Sequence, residues 1–379
     1  MAYRVKTGVI GVAVMPRVLG GRQSLEELQY AATQQALRDA GLTIEEIDGI
    51  VVGANDQYDG RAISVMMASG PVGGVDRDIL STPSAGEHAF VMGALRVASG
   101  LYRTQLVLAW NPTEASSLPE VQRLAADPYF HRRLPLDEMA AHAMQAGVLL
   151  AAMPGLEELA RKVVEKNRRN GATAYPGQVT EGGGFARWPL TAEMSAAAVT
   201  GVVALVLGSE DFVQEHNKQV AWIAGMGWAT EPSFLGDRDL GRAPALEAAA
   251  TRAYAEAGIT DPMADFDVAE VADATPYQEL LAYEGLQLAP RQSWHARVHD
   301  GTFGPGGKLP VNLSGGAISI NPVYCTGLIR IAEIARQVLG RAGAHQQQGV
   351  STGLAHAASG DAMQYNTVVV LRNGKGARP

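Results

Sequence analysis

The sequence of 379 residues contains a single cysteine, Cys325. That excludes an internal disulfide framework and any multi-cysteine metal site, and it fits a reducing cytoplasm. A basic surplus is missing as well. With 31 Lys and Arg against 39 Asp and Glu, the net charge of −8 offers no footprint for nucleic acid. Charged residues reach only 18% beside 47% apolar ones, a balance that folds rather than remaining disordered. Long hydrophobic runs are also absent: the longest uncharged apolar stretch, Met194 to Ser209, is short of the ~20 residues a membrane helix needs. The opening "MAYRVKTGVIGVAVMP" places Arg4 and Lys6 before an apolar run, as a signal peptide does. It lacks an Ala-x-Ala cleavage site and meets Arg17 directly, so it reads as a first buried strand.

What the chain has in quantity is glycine, 43 residues without a collagen-like period, as in the turns of an α/β enzyme. After the strand Val5–Val14 comes "SLEELQYAATQQALRDAGLTIEEIDGIVVG". Ser24 and Glu27 form a capping box, helical spacing follows, Gly41 stops the helix, and a strand closes the unit. "AATRAYAEAGITDPMADFDVAEVADA" repeats that order further along, with Ala257-Gly258 in the place of Ala40-Gly41. Each half also ends on a strand rich in valine and leucine, "TGVVALVLGSED" and "YNTVVVLRNG". Two related α/β halves, 1–238 and 239–379, follow from this repeat. Between about 112 and 190 the pattern loosens into prolines and mixed charge, which reads as a loop excursion covering a site.

The segment "NLSGGAISINPVYCTGLIRIAEIARQ" combines a Ser-Gly-Gly turn with the start of a helix. Gly315 and Gly316 permit close backbone approach, and a turn before a helix N-terminus suits anions or thioesters. No histidine or acidic residue lies between the glycines and the helix.

Taken with "GEHAFVMGALRVASG", "EKNRRNGATAYPG", "EVADATPYQELLAYEGLQL" and "GLAHAASG", these segments resemble the thiolase superfamily, in its sterol-carrier-protein or lipid-transfer branch. The resemblance covers nearly the whole chain. It implies two similar halves in a five-layer α-β-α-β-α arrangement, usually as a homodimer. The same resemblance exposes what is lost. "TPSAGEHA" puts Pro83 where the family has its nucleophilic cysteine, and proline cannot carry an acyl group. Asn321 stands nearest the place of the family's loop histidine, and Ala272-Asp273 replaces His-Asp or Asn-Glu. The family's later cysteine has no counterpart before Gly360.

Two tyrosines stand beside the gaps, Tyr277 and Tyr324. In this the chain is similar to the thiolase-like retro-aldolases of bacterial steroid side-chain degradation, a resemblance that implies proton handling by these two phenols. A retro-aldol cleavage needs a base for the hydroxyl proton and stabilisation of a thioester enolate, but no covalent intermediate. A phenol of pKa ~10 must be shifted or relayed to act near neutrality, with Asp273, His356 and His88 as candidate neighbours. Backbone N–H groups of Gly315, Gly316 and Gly360 are candidate enolate donors. Each residue also has a structural reading. A tyrosine in an apolar segment is most often core, as Tyr283 is expected to be. His356 fits a turn, Asn321 shapes the bend before Pro322, Ser84 caps the helix, and Cys325 is a small buried residue. Glu87 and His88 fit a helix surface; Lys166, Arg168 and Arg169 fit either nucleotide phosphates or a solvated helix end.

The functional expectation is a lyase cleaving a carbon–carbon bond of a β-hydroxyacyl-CoA, with a bulky acyl group such as a steroid side chain. Coenzyme A enters as part of the substrate and no cofactor is covalently held; no metal, nucleic acid or membrane is expected. The resemblance further implies a small partner with an OB-fold and zinc ribbon, of the DUF35 type. The alternatives are a non-catalytic acyl-CoA-binding or scaffolding subunit, and an acyltransferase using Ser84.

Overall fold

The computed structural model describes residues 5–17, 23–60, 63–83, 85–113, 116–180, 182 and 187–374. The first half contains β1 (Thr7–Met15), α1 (Leu25–Ala40), β2 (Gly49–Ala54), α2 (Ser64–Ser69), β3 (Asp78–Pro83), α3 (Gly86–Ala98) and β4 (Thr104–Asn111). The excursion then supplies α4 (Leu118–Ala125), α5 (Glu138–Ala152) and α6 (Leu156–Ala174) before β5 (Gly201–Ser209) and α7 (Glu210–Glu215). The second half begins with β6 (Ala221–Thr230), α8 (Pro244–Ala257), α9 (Pro262–Asp265), β7 (Val268–Glu270) and α10 (Pro276–Gly285). It closes with α11 (Trp294–His299), α12 (Gly316–Ser319), α13 (Thr326–Leu339), β8 (Thr352–Ser359) and β9 (Tyr365–Asn373).

The strands run in the order β3-β2-β4-β5-β1-β6-β9-β8-β7, so the two halves mirror one another about the β1–β6 seam. That seam is short: Gly8 pairs Trp222 and Val9 pairs Ala221. In the first half β2 lies parallel to β3 and β4 while β5 is antiparallel to its neighbours. The second half repeats the scheme with β7 parallel to β8 and β9 antiparallel to β8 and β6. Because β6 pairs with β1 and β9, the second half begins at Ala221, ahead of the expected 239.

Period-two alternation sorts the strand residues into layers. On β5, Val203, Leu205 and Leu207 join a central core with Phe90 of α3 and Leu328 of α13. Val202, Ala204 and Val206 point the other way, to an outer core under α1. On β9, Val369 and Leu371 face the centre, and Val368 and Val370 face the outer core of α8 and α10. Helix, sheet, helix, sheet, helix is the result, as the resemblance implies.

The Ala-rich repeat has a packing cause. A Cβ on Gly11 would lie 2.5 Å from the Ala36 carbonyl oxygen of α1, and one on Gly225 would lie 2.1 Å from that of Ala253 in α8. Alanine helices therefore press onto glycine positions of β1 and β6 in both halves. The capping box at Ser24 and the left-handed Gly41 (φ 62°) and Gly258 (φ 67°) end these helices as the sequence predicts.

The excursion departs from expectation. Among the described residues it carries three helices, and α6, at 19 residues, is the longest of them. Its polar side chains had looked like a solvated end because alternate turns of α6 face different surroundings. Lys166 and Arg168 are spent internally, on Glu279 and the Val311 carbonyl, and on the carbonyls of Thr180 and Glu193.

Candidate active site

A cavity of about 810 Å³ lies where the N-terminal ends of α3 and α13 meet the excursion. Pro83, Glu87 and His88 come from the β3–α3 junction, Asn321, Tyr324, Gly327 and Arg330 from the start of α13. Asp137, Glu138 and His142 come from α5, Asp273 and Gln278 from the approach to α10, and Gly360 and Asp361 from the turn after β8. The β3–α3 turn is tight: Ala85 adopts φ +39°, an angle usually left to glycine, and it too lines the cavity. Ser84 lies outside the described residues.

The cavity floor rests on a buried polar network. Asp273 accepts the Ala317 N–H at 2.6 Å and Asn167 Nδ2 at 2.8 Å. Asn167 also donates to Glu279 at 2.6 Å, and Lys166 pairs with Glu279 at 2.9 Å. Arg330, 4% exposed, sits 3.1 Å from Glu270 and 3.9 Å from Asp273. Glu270 in turn accepts the backbone N–H and hydroxyl of Ser314. Burial lifts Asp273 to about 7, with Arg330 opposing and Glu279 adding to the rise. Three buried acids against buried Arg330 and half-buried Lys166 leave the network short of positive charge. Glu270, Glu279, Asn167, Asn312 and Arg330 were not singled out in the sequence. Their signal was charge and amide inside apolar runs, as in "FDVAEVADATPYQELLAY".

Tyr324 lines the cavity, edge-on to Tyr58 with ring centroids 5.2 Å apart. Burial pushes its hydroxyl upward, and Glu138 is the charge adding most to that rise. The phenol therefore keeps its proton at neutral pH, whereas a tyrosine base would need the opposite shift. Glu138 stands at the start of α5 with 26% of its side chain accessible. Its Oε2 accepts Gln122 Nε2, and burial with help from Asp361 raises its carboxyl to about 8.

Several expected site residues are elsewhere. Tyr277 does not line the cavity; it is 0% exposed in the C-terminal core, its hydroxyl has no partner, and burial raises it to about 12. A helix turns about 100° per residue, so the next residue, Gln278, is the one presented to the cavity. His356 is fully buried in β8 and lies off the cavity. Its Nδ1 accepts the Ala272 N–H at 3.4 Å, Nε2 pairs with Asn366 Oδ1 at 3.0 Å, and burial lowers it to about 4. It is a neutral structural histidine.

Gly315 and Gly316 of the Ser-Gly-Gly turn likewise do not line the cavity. The Gly315 N–H donates to the Asn312 carbonyl at 2.9 Å, and a Cβ there would lie 2.3 Å from Gly171 Cα. Gly316 is pressed against Asp273, where a Cβ would come within 1.7 Å of Oδ2. The glycines serve close packing against α6 and Asp273. Asn321 and Gly360 do line the cavity, and Asn321 Nδ2 donates to the Ala196 carbonyl at 3.2 Å. Cys325 is buried, its Sγ 3.5 Å from the Gly201 carbonyl, and burial pushes the thiol far up. Glu87, read as surface, is 2% exposed with Oε1 unpartnered. Tyr283 is core, stacked on Phe303 and bonded to Glu279. Among the described residues no cluster of three or more His, Cys, Asp or Glu is placed to hold a metal ion. Nor is any helix among them long and apolar enough to cross a membrane.

Comparison with known proteins agrees with this architecture. Residues 228–373 match the family described as thiolase C-terminal domain-like. Over 163 residues the chain is 34% identical to Sterol carrier protein 2 of Rattus norvegicus, covering 41% of this chain and 29% of that protein. The matched stretch thus spans less than a third of that relative's length. Across 98% of its own length the chain superposes on 99% of the chain in the Ltp2-ChsH2(DUF35) aldolase structure, with a TM-score of 0.81 and 20% identity. The same share superposes on 99% of human mitochondrial 3-ketoacyl-CoA thiolase in complex with CoA, with a TM-score of 0.70 and 17% identity. Identities this low speak for the fold alone. The chain thus has the thiolase fold from end to end, its residues 228–373 match the thiolase C-terminal domain-like family, and part of it is similar in sequence to Sterol carrier protein 2.

Proposed function

We propose that the protein is a thiolase-like carbon–carbon lyase that cleaves a β-hydroxyacyl-CoA by a retro-aldol reaction. The observation that carries this reading is the make-up of the cavity wall. It offers a phenol and carboxylates, while Pro83 occupies the nucleophile's position and Cys325 lies off the cavity. Chemistry there has a proton donor and proton acceptors to work with and no attacking thiol. The likeness to an aldolase structure along the whole chain supports the same reaction class. A volume of about 810 Å³ suits a bulky acyl group, such as a steroid side chain. Coenzyme A belongs to the substrate, and no covalently held cofactor takes part.

In this reading Tyr324 donates to the thioester oxygen as it becomes an enolate, an interaction that strengthens in the transition state. We extend the proposal to assembly, as a cytoplasmic homodimer with a small DUF35-type partner, since the aldolase with the similar fold is a Ltp2-ChsH2(DUF35) structure. The test is incubation with a series of β-hydroxyacyl-CoA thioesters, with and without such a partner, reading the released carbonyl compound and shortened acyl-CoA. Tyr324→Phe is expected to lose turnover. Absence of cleavage across the series, with partner present, would defeat the lyase reading in favour of a non-catalytic subunit.

A further inference from the structure

If Tyr324 holds its proton, the reaction still needs a base, and resting on the lyase reading above the geometry points to Glu138. We infer that Glu138 takes the proton of the substrate's β-hydroxyl, and that His142 and Gln278 are positioning residues that hold it for this task. Side chains of α4 and α5 meet this carboxylate, and α10 holds the α5 imidazole in turn. Gln122 of α4 donates to Oε2. His142, one turn along α5 and 4% exposed in its side chain, places Nε2 at 3.7 Å from Oε1. Gln278 of α10 lies 3.2 Å from His142 Nδ1 and 3.2 Å from Gln145 Oε1. An amide nitrogen has only protons to offer, so Nδ1 is the acceptor and the imidazole proton sits on Nε2, towards Glu138. Both Glu138 and Tyr324 line the cavity, and the charge of the carboxylate acts on the phenol.

The separation of 3.7 Å is longer than a hydrogen bond, and such contacts tighten when substrate is bound. His142 is buried and lowered to about 4, so it remains neutral and cannot take the proton in place of Glu138. Other groups nearby are committed or of like sign. Asp137 caps α5 through the Ala140 N–H and pairs with Arg187 at 2.6 Å. Asp361, on the turn after β8, is itself raised by burial and lies under the influence of His131 and Arg238. Asp127 and His131 line the same wall. Asp361 and Asp137 both push Glu138 upward, towards the working range of a base near neutrality.

The step balances without a co-reactant. The hydroxyl O–H bond breaks as its proton passes to Glu138, and the released pair forms the carbonyl. The Cα–Cβ bond breaks with its pair moving onto the thioester as an enolate, met by the Tyr324 hydroxyl. Return of the proton from Glu138 to Cα regenerates the carboxylate and completes the shortened acyl-CoA.

The test compares wild type, Glu138→Gln and His142→Phe over pH. A base must be ionised to act, so wild-type kcat is expected to rise with pH and level above about 8. Glu138→Gln should lower kcat by about 10²–10⁴-fold and abolish that limb, while still binding a β-deoxy acyl-CoA analogue. His142→Phe removes the N–H that faces the carboxylate, so it should move the limb to higher pH and leave turnover in place. Difference infrared spectroscopy of the resting protein, from about pH 6 to about pH 10, should show a carboxyl losing its proton that Glu138→Gln lacks. A cleaving wild type with Glu138→Gln retaining turnover and limb would overturn the assignment, as would an unchanged infrared titration. A wild type that cleaves nothing refutes the lyase reading itself, and the base goes with it.

Discussion

Replacing Gly316 by alanine tests the claim that the Ser-Gly-Gly turn exists to seat Asp273. Gly316 has φ +69°, and a Cβ would meet Asp273 at 1.7 Å from Oδ2 and 2.4 Å from Cγ. The left-handed angle alone costs about 1–2 kcal/mol for a residue with a Cβ. Overpacking adds about 1–3 kcal/mol, because Asp273 is held by Asn167 and Ala317 and has no free direction to yield. The total, about 2–5 kcal/mol, is a large fraction of a typical domain's stability. Gly258→Ala supplies the control: φ is +67°, and no atom lies within 4 Å of its Cβ position. It should lose only the conformational part. Urea unfolding with linear extrapolation measures both. Adding Asp273→Ala to Gly316→Ala should recover the overpacking share, a coupling that a double-mutant cycle reads directly. Equal losses at Gly316 and Gly258, with no coupling to Asp273, would refute the argument.

Tyr277→Phe removes a buried hydroxyl that has no partner, so stability should change by less than about 1 kcal/mol or rise, and any cleavage by the wild type should persist. Tyr324→Phe run beside it should lose turnover while keeping its fold, which steady-state assays and unfolding midpoints separate. His142 and His356 are each lowered from 6.5 to about 4 by burial, so the unfolded chain binds their protons first as pH falls. Their neutral-pH stability is present above about 6.5 and is lost down to about 4, up to roughly 3 kcal/mol each. His356→Gln should shrink that loss in unfolding experiments at a series of pH values. Cys325 should resist alkylation by iodoacetamide in the native protein and react fully in denaturant, because its thiol is buried and raised.

The architecture was legible along the chain because it is carried by local patterns. Capping at Ser24, helix stops at Gly41 and Gly258, and alternation in "VVALVL" and "VVVL" each depend on neighbours within a few residues. The tight β3–α3 turn that carries Pro83 could likewise be read from its local sequence, "TPSAGEHA". Which side chains meet could not. Tyr277 and Gln278 are adjacent, and one of them faces core while the other faces the cavity, a matter of where α10 is rotated against α6 and α8. Glu138 and Asp361 are more than two hundred positions apart and come together through the excursion, where helical spacing such as Leu156, Leu159, Ala160 and Val163 announces a helix but not what it packs against. Whether a phenol keeps or gives up its proton depends on burial and on charges drawn from distant segments. Those are properties of a packed interior, where distance in space replaces distance along the chain.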